Sequence, residues 1–183
     1  MPPGTFGRVR AVVVTCGGLL AFTCVGLAFI ASGAEKVPNT PSANATLRVS
    51  GKVERPLVLG ERDLQALPRK HLEVTDEKGA PVTYDGVPVN EVLRRAGVPL
   101  GKQLKGPRMK LYVIVDAADS YRVVFALPEF DPDFTDRVII LADRQDGHVM
   151  APPLGPFRLV VAGEKRHARW VREVTALDVE EAQ

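Results

Sequence analysis

The chain has three histidines, His71, His148 and His167, and they are too scattered to form a recognisable metal motif. A surface or turn role is expected for each. Asp131-Pro132-Asp133 with Asp136 offers carboxylates that would suit a hard cation, but the stretch lacks the glycine and closing glutamate of a calcium loop, so solvated acids are expected there. Ser50 and Ser120 have no evident base, and neither a Gly-Xaa-Ser-Xaa-Gly elbow nor a phosphate-cradling glycine loop occurs. The two cysteines, Cys16 and Cys24, both lie in an N-terminal apolar run. Beyond that run there is no thiol for a disulfide, a nucleophile or a soft metal ligand.

The first 34 residues explain where those cysteines sit. Arg8 and Arg10 precede an apolar stretch over residues 11–30, and Ala31-Ser32-Gly33-Ala34 follows with small residues. These are the three parts of a secretory signal, and they predict a periplasmic or extracellular location after cleavage. The apolar run is also long enough to cross a bilayer, so a retained membrane anchor over residues 11–30 is the competing reading. Residues 35–46 are small, polar and proline-containing, and are read as a flexible linker. Residues 47–181 then form one domain. The chain carries 24 basic and 22 acidic residues, and its leader holds two arginines and no acid, so the remainder is formally neutral. With no concentrated basic face and few aromatic residues, nucleic acid is not an expected partner.

The elements that must position any site follow from periodicity. Leu47, Val49, Gly51 and Val53 alternate with polar residues as in a half-buried strand, Leu57-Val58-Leu59 makes a second, and a brief helix carries Leu64 and Leu67 up to Pro68. Strands at 71–75 and 81–84 flank an Asp76-Glu77-Lys78-Gly79 turn, and Val89, Val92, Leu93 and Ala96 recur at helical spacing before Gly97. The apolar run Leu111-Tyr112-Val113-Ile114-Val115 predicts a central strand covered on both faces. Further strands are expected at 121–126, 138–142, 157–161 and 174–179, with a short acidic loop containing one helical turn at 127–136. No rhythm of long crossover helices appears, so the fold class is α+β with mixed β-sheets and short helices.

In this order the elements resemble the molybdopterin-binding oxidoreductase domain shared by sulfite oxidases and periplasmic methionine sulfoxide reductases. The resemblance runs from Val49-Ser50-Gly51-Lys52-Val53 through Asp63-Leu64-Gln65-Ala66-Leu67-Pro68, Tyr84-Asp85-Gly86-Val87-Pro88-Val89 and Asp119-Ser120-Tyr121 to Ile140-Leu141-Ala142. Its most specific stretch is Gly155-Pro156-Phe157-Arg158-Leu159-Val160-Val161, followed by Gly163 and Arg169-Trp170-Val171. It implies a sulfite-oxidase-type molybdopterin-binding fold. It also implies that Arg158 and Arg169, with Lys165 less closely matched, contact the pterin and its phosphate. A guanidinium suits that role, being a planar fork of donors that stays charged. The plainer reading is that Arg158 pairs with a carboxylate of its own fold and that Arg169 is an exposed charge beside Trp170.

Two departures bear on chemistry. Pro153-Leu154-Gly155 stands where the family has an asparagine, and the cysteine that would hold molybdenum is absent from residues 71–84, which offer His71, Thr75, Asp76 and Glu77 but no sulfur. No catalytic residue and no metal ligand are therefore assigned, and molybdopterin is a cofactor by resemblance alone. Two functions of different class follow. One is an exported oxidoreductase-like domain that binds a pterin or another small anionic ligand without competent molybdenum chemistry. The other is a non-enzymatic binding or scaffold module that holds a protein partner at the cell envelope.

Overall fold

The structure, a computed structural model, describes residues 45–183. The leader and most of the linker lie outside the described residues, and so do the signal and anchor readings. Among the described residues no helix is long and apolar enough to cross a membrane.

Ten strands and two short helices follow one another as β1 (Thr46–Gly51), β2 (Leu57–Gly60), α1 (Glu61–Gln65), β3 (Lys70–Thr75), β4 (Pro81–Pro88), α2 (Val89–Arg95), β5 (Leu111–Ala117), β6 (Arg122–Ala126), β7 (Ile139–Gln145), β8 (His148–Val149), β9 (Arg158–Val161) and β10 (Val174–Glu181). They form two mixed or antiparallel sheets. The first runs β2-β1-β10-β5-β6, with β1 and β10 parallel, so the chain's last strand lies beside its first. The second runs β3-β4-β7-β8, with β9 also paired to β7. The first sheet therefore needs both ends of the domain before it is complete, and the two sheets agree with the α+β class read from periodicity.

The core is built from the alternating faces. Leu47, Val49, Val113, Val115, Phe125, Leu177 and Val179 of the first sheet are fully buried, as are Ile140, Ala142, Leu159, Val160 and Val161 of the second. Val89, Val92 and Leu93 turn one side of α2 into the core, and Gly97 ends that segment in a left-handed conformation at φ +79°. Gly86 marks a register shift between β4 and β7. A Cβ there would stand 2.2 Å from the Leu141 carbonyl oxygen, so only glycine allows the two backbones to meet.

Two expectations need correction. Strand β5 is central, between β10 and β6, yet only Leu111, Val113, Val115 and Ala117 are buried, whereas Tyr112, Ile114 and Asp116 are half-buried. One face of the first sheet is only partly covered, and Ile114 lies there opposite exposed Val124. The strand covered on both faces is β7, where Ile139 through Asp143 are all buried. Asp131 is likewise not a solvated acid. It is buried, and its carboxylate accepts the N–H groups of Gly101 at 2.5 Å and Asp133 at 3.0 Å, so hydrogen bonds replace the water it loses. Asp133 and Asp136 remain exposed as expected.

Candidate functional site

Strand β9 pairs with β7, and this register sets Arg158 opposite Ala142. Its guanidinium reaches inward between two aromatic side chains brought by other elements. Its carbon lies 5.6 Å from the ring centre of Tyr84, on β4, and 5.7 Å from that of Trp170, which follows a 3₁₀ turn at His167–Arg169. The two rings meet edge to face at 5.9 Å, and the Trp170 indole N–H donates to the Val161 carbonyl at 3.1 Å. This is a rigid box with a cation in it.

Arg158 Nη1 donates to the Tyr84 hydroxyl at 3.1 Å. Its Nε is buried and has no partner among the described residues. Burial raises the Tyr84 hydroxyl pKa above its ordinary value, while the nearby positive charge of Arg158 opposes that shift. No carboxylate of the described residues pairs with Arg158, so the self-paired alternative does not describe it. Its charge is instead presented to a cavity of about 470 Å³ lined by Glu77, Asp119, Tyr121, Trp170 and Arg172, among others. Elements distant in sequence supply those walls: the β3–β4 hairpin tip gives Glu77, the β5–β6 turn gives Asp119 and Tyr121, and the start of the 3₁₀ turn gives His167. The Tyr121 hydroxyl donates to the Ala168 carbonyl at 2.8 Å, which ties the first sheet's turn to that wall, and His167 stacks on Trp170 at 3.7 Å.

Arg169 has a different environment. Its Nε donates to Glu164 at 2.8 Å and its Nη1 to Glu129 at 2.9 Å, a further Nη2 contact returns to Glu164, and the guanidinium lies 4.4 Å from the Phe125 ring centre. Partial burial works against its charge, but the hydrogen bonds to Glu129 and Glu164 outweigh it and the pKa is raised. Arg169 is neither an exposed charge nor part of the Arg158 cavity wall. It is the clamp that fastens the loop carrying His167 and Trp170 to the turn after β6. Lys165 is exposed and lines a neighbouring shallow cavity of about 600 Å³ with Asp76, Glu77, Arg166 and His167. Of the three cations picked out in the sequence, the structure thus places Arg158 on the 470 Å³ cavity, Lys165 on the neighbouring one and Arg169 on neither.

The donors considered for a metal are dispersed. Asp76 accepts the N–H groups of Lys78 at 2.9 Å and Ala80 at 2.8 Å, and so holds the hairpin turn. His71 is bonded to Asp85 at 2.8 Å on an exposed strand, and His148 stands at the β7–β8 turn. Among the described residues no three of His, Cys, Asp and Glu gather where they could hold a metal ion. The sequence reading missed Tyr84 and Trp170 as a pair and missed Tyr121, Arg172, Glu77 and Asp119 as cavity walls. Only the single tryptophan beside Arg169 gave a signal; the remaining contacts depend on tertiary pairing.

The model of the oxidoreductase molybdopterin binding domain family matches residues 34–183. The chain belongs to this family. Among solved structures, the sulfane dehydrogenase SoxCD from Paracoccus pantotrophus superposes with a TM-score of 0.61 at 23% identity, covering 76% of this chain and 39% of that one. At that identity the likeness is one of fold, and this family member spans well under half the length of that chain. No curated protein matches the chain. The two-sheet frame is thus that of a molybdopterin-binding domain.

Proposed function

We propose that this family member is an exported domain that binds a small anionic or pterin-type molecule at Arg158 and does not carry out molybdenum redox chemistry. One observation carries the binding half: a guanidinium held against Tyr84 and Trp170, with no carboxylate of the described residues neutralising it, lines a cavity of about 470 Å³. An anionic group there would gain a charge-assisted interaction with a cation whose counter-charge the fold does not supply. A planar ring would find an aromatic wall.

The metal half rests on the donor set. In the family the metal is held by a cysteine thiolate, and the only cysteines here are Cys16 and Cys24. Asp76 is used by its own turn, and a carboxylate such as Glu77 is a hard donor that does not replace an electron-rich sulfur. The residues present suit an organic anion and do not suit the metal. Export rests on the leader's arginines, apolar run and small residues. A scaffold role at the cell envelope is the second reading, favoured by the engagement of Arg169 in ion pairs, which leaves fewer cations for a ligand.

Native mass spectrometry of protein from its own host, compared with Arg158→Ala, tests the binding half. Wild type is expected to retain a small non-covalent ligand, and the variant to bind it about 10- to 100-fold more weakly. Identical spectra would support the scaffold.

A further inference from the structure

Charges of both signs line the Arg158 cavity. Arg158 and Arg172 are the cations, Glu77 and Asp119 the carboxylates, and among the described residues none of the four forms an ion pair. Elsewhere in the domain Arg48, Arg69, Arg94, Arg122, Arg137 and Arg169 each meet a carboxylate, while others such as Arg62 and Arg166 are exposed without one among the described residues; Arg158 is half-buried and has none. Depth sets one of the four apart. Arg158 is half-buried against the aromatic pair, whereas Glu77, Asp119 and Arg172 are exposed around the mouth.

We propose that the cavity's ligand is a zwitterion of amino-acid size, its carboxylate on Arg158 and its ammonium turned toward Glu77 and Asp119. This rests on the reading of Arg158 as an anion anchor and adds the second charge. A ligand bearing only negative charge would meet Arg158 but would leave Glu77 and Asp119 at the mouth without a partner. A zwitterion meets a complementary group at each end. Its apolar portion has Leu154 and Trp170 for a wall, with Tyr121, 48% exposed, beside them. Asp119 Oδ1 already accepts the Tyr121 N–H at 3.0 Å, so this carboxylate is held in place before any ligand arrives.

Trp170 is the chain's only tryptophan, so its emission reports on the cavity directly. The full chain is titrated with leucine, with N-acetyl-leucine, which keeps only the negative charge, and with leucinamide, which keeps only the positive one, and calorimetry repeats each titration. Leucine is expected to bind about tenfold or more tightly than either analogue. The double variant Glu77→Gln, Asp119→Asn is expected to remove leucine's advantage over N-acetyl-leucine, and N-acetyl-leucine is expected to bind it at least as tightly as it binds wild type. N-acetyl-leucine binding as tightly as leucine overturns the zwitterion and leaves the anion anchor standing. Absence of binding by all three overturns the zwitterion as well. Leucine and N-acetyl-leucine binding that Arg158→Ala leaves unaltered overturns both the zwitterion and the anchor.

Discussion

At the scale of single residues, the cations of this domain divide by whether the fold supplies their counter-charge. Arg69 illustrates one class: its hydrogen bond to buried Asp143 raises its pKa, and the pair closes the space beside β7. Arg158 illustrates the other. His71 belongs to the first class, but only when protonated. Its hydrogen bond to Asp85 raises its pKa above the ordinary 6.5. Because the folded value exceeds the unfolded one, the stability it contributes is complete below 6.5 and is lost as pH rises through the folded value. Urea midpoints should therefore fall slightly between about pH 5 and about pH 8, and His71→Gln should remove that part of the slope. An unchanged slope in the variant would assign the effect to another group.

At the scale of elements, the irregular segments do as much positioning as the strands. The loop of residues 162–170 brings His167 and Trp170 to the cavity and is held by Arg169 on Glu164 and Glu129. Glu164 has a side chain only 12% exposed, and its second oxygen lacks a partner. Replacing Arg169 with Met would leave that carboxylate half-buried without its main counter-ion. The expected cost is about 2 kcal/mol, below the range for fully buried pairs because Arg169 is itself partly exposed. Chemical denaturation measures it, and a red shift of Trp170 emission should accompany it. A change within a few tenths of a kcal/mol would mean that the loop is held by its packing alone. Asp131 acts similarly on the segment at Gly101, and Asp131→Ala should cost about 1–3 kcal/mol by leaving two backbone N–H groups without their acceptor.

The same scale shows what was legible in the chain. Alternation at Leu47 and Val49, helical spacing at Val89, Val92 and Leu93, and the turn residues between 76 and 79 located elements well, because each records a local pattern, although the strand stops at Gly51, short of Val53. The burial of Asp131 was not legible, since the donor it serves at Gly101 is thirty residues away. Nor was the open face of β5, because Ile114 is as apolar as its buried neighbours and only the sheet order shows that its side is half covered.

At the scale of the whole molecule, two sheets bring three distant turns around one arginine. The position of Arg158 could be read from the Gly155-Pro156-Phe157-Arg158 stretch, but its freedom from a carboxylate and its aromatic box could not, because Tyr84 and Trp170 meet only when β4 and β9 both flank β7. The central claim is that this family member retains the cavity and its anchoring cation without the metal. Molybdenum content per chain, measured on protein purified from its own host, tests it most directly. The account predicts no molybdenum above the buffer blank; one molybdenum per chain, in protein that oxidises sulfite or reduces a sulfoxide above background, would contradict it.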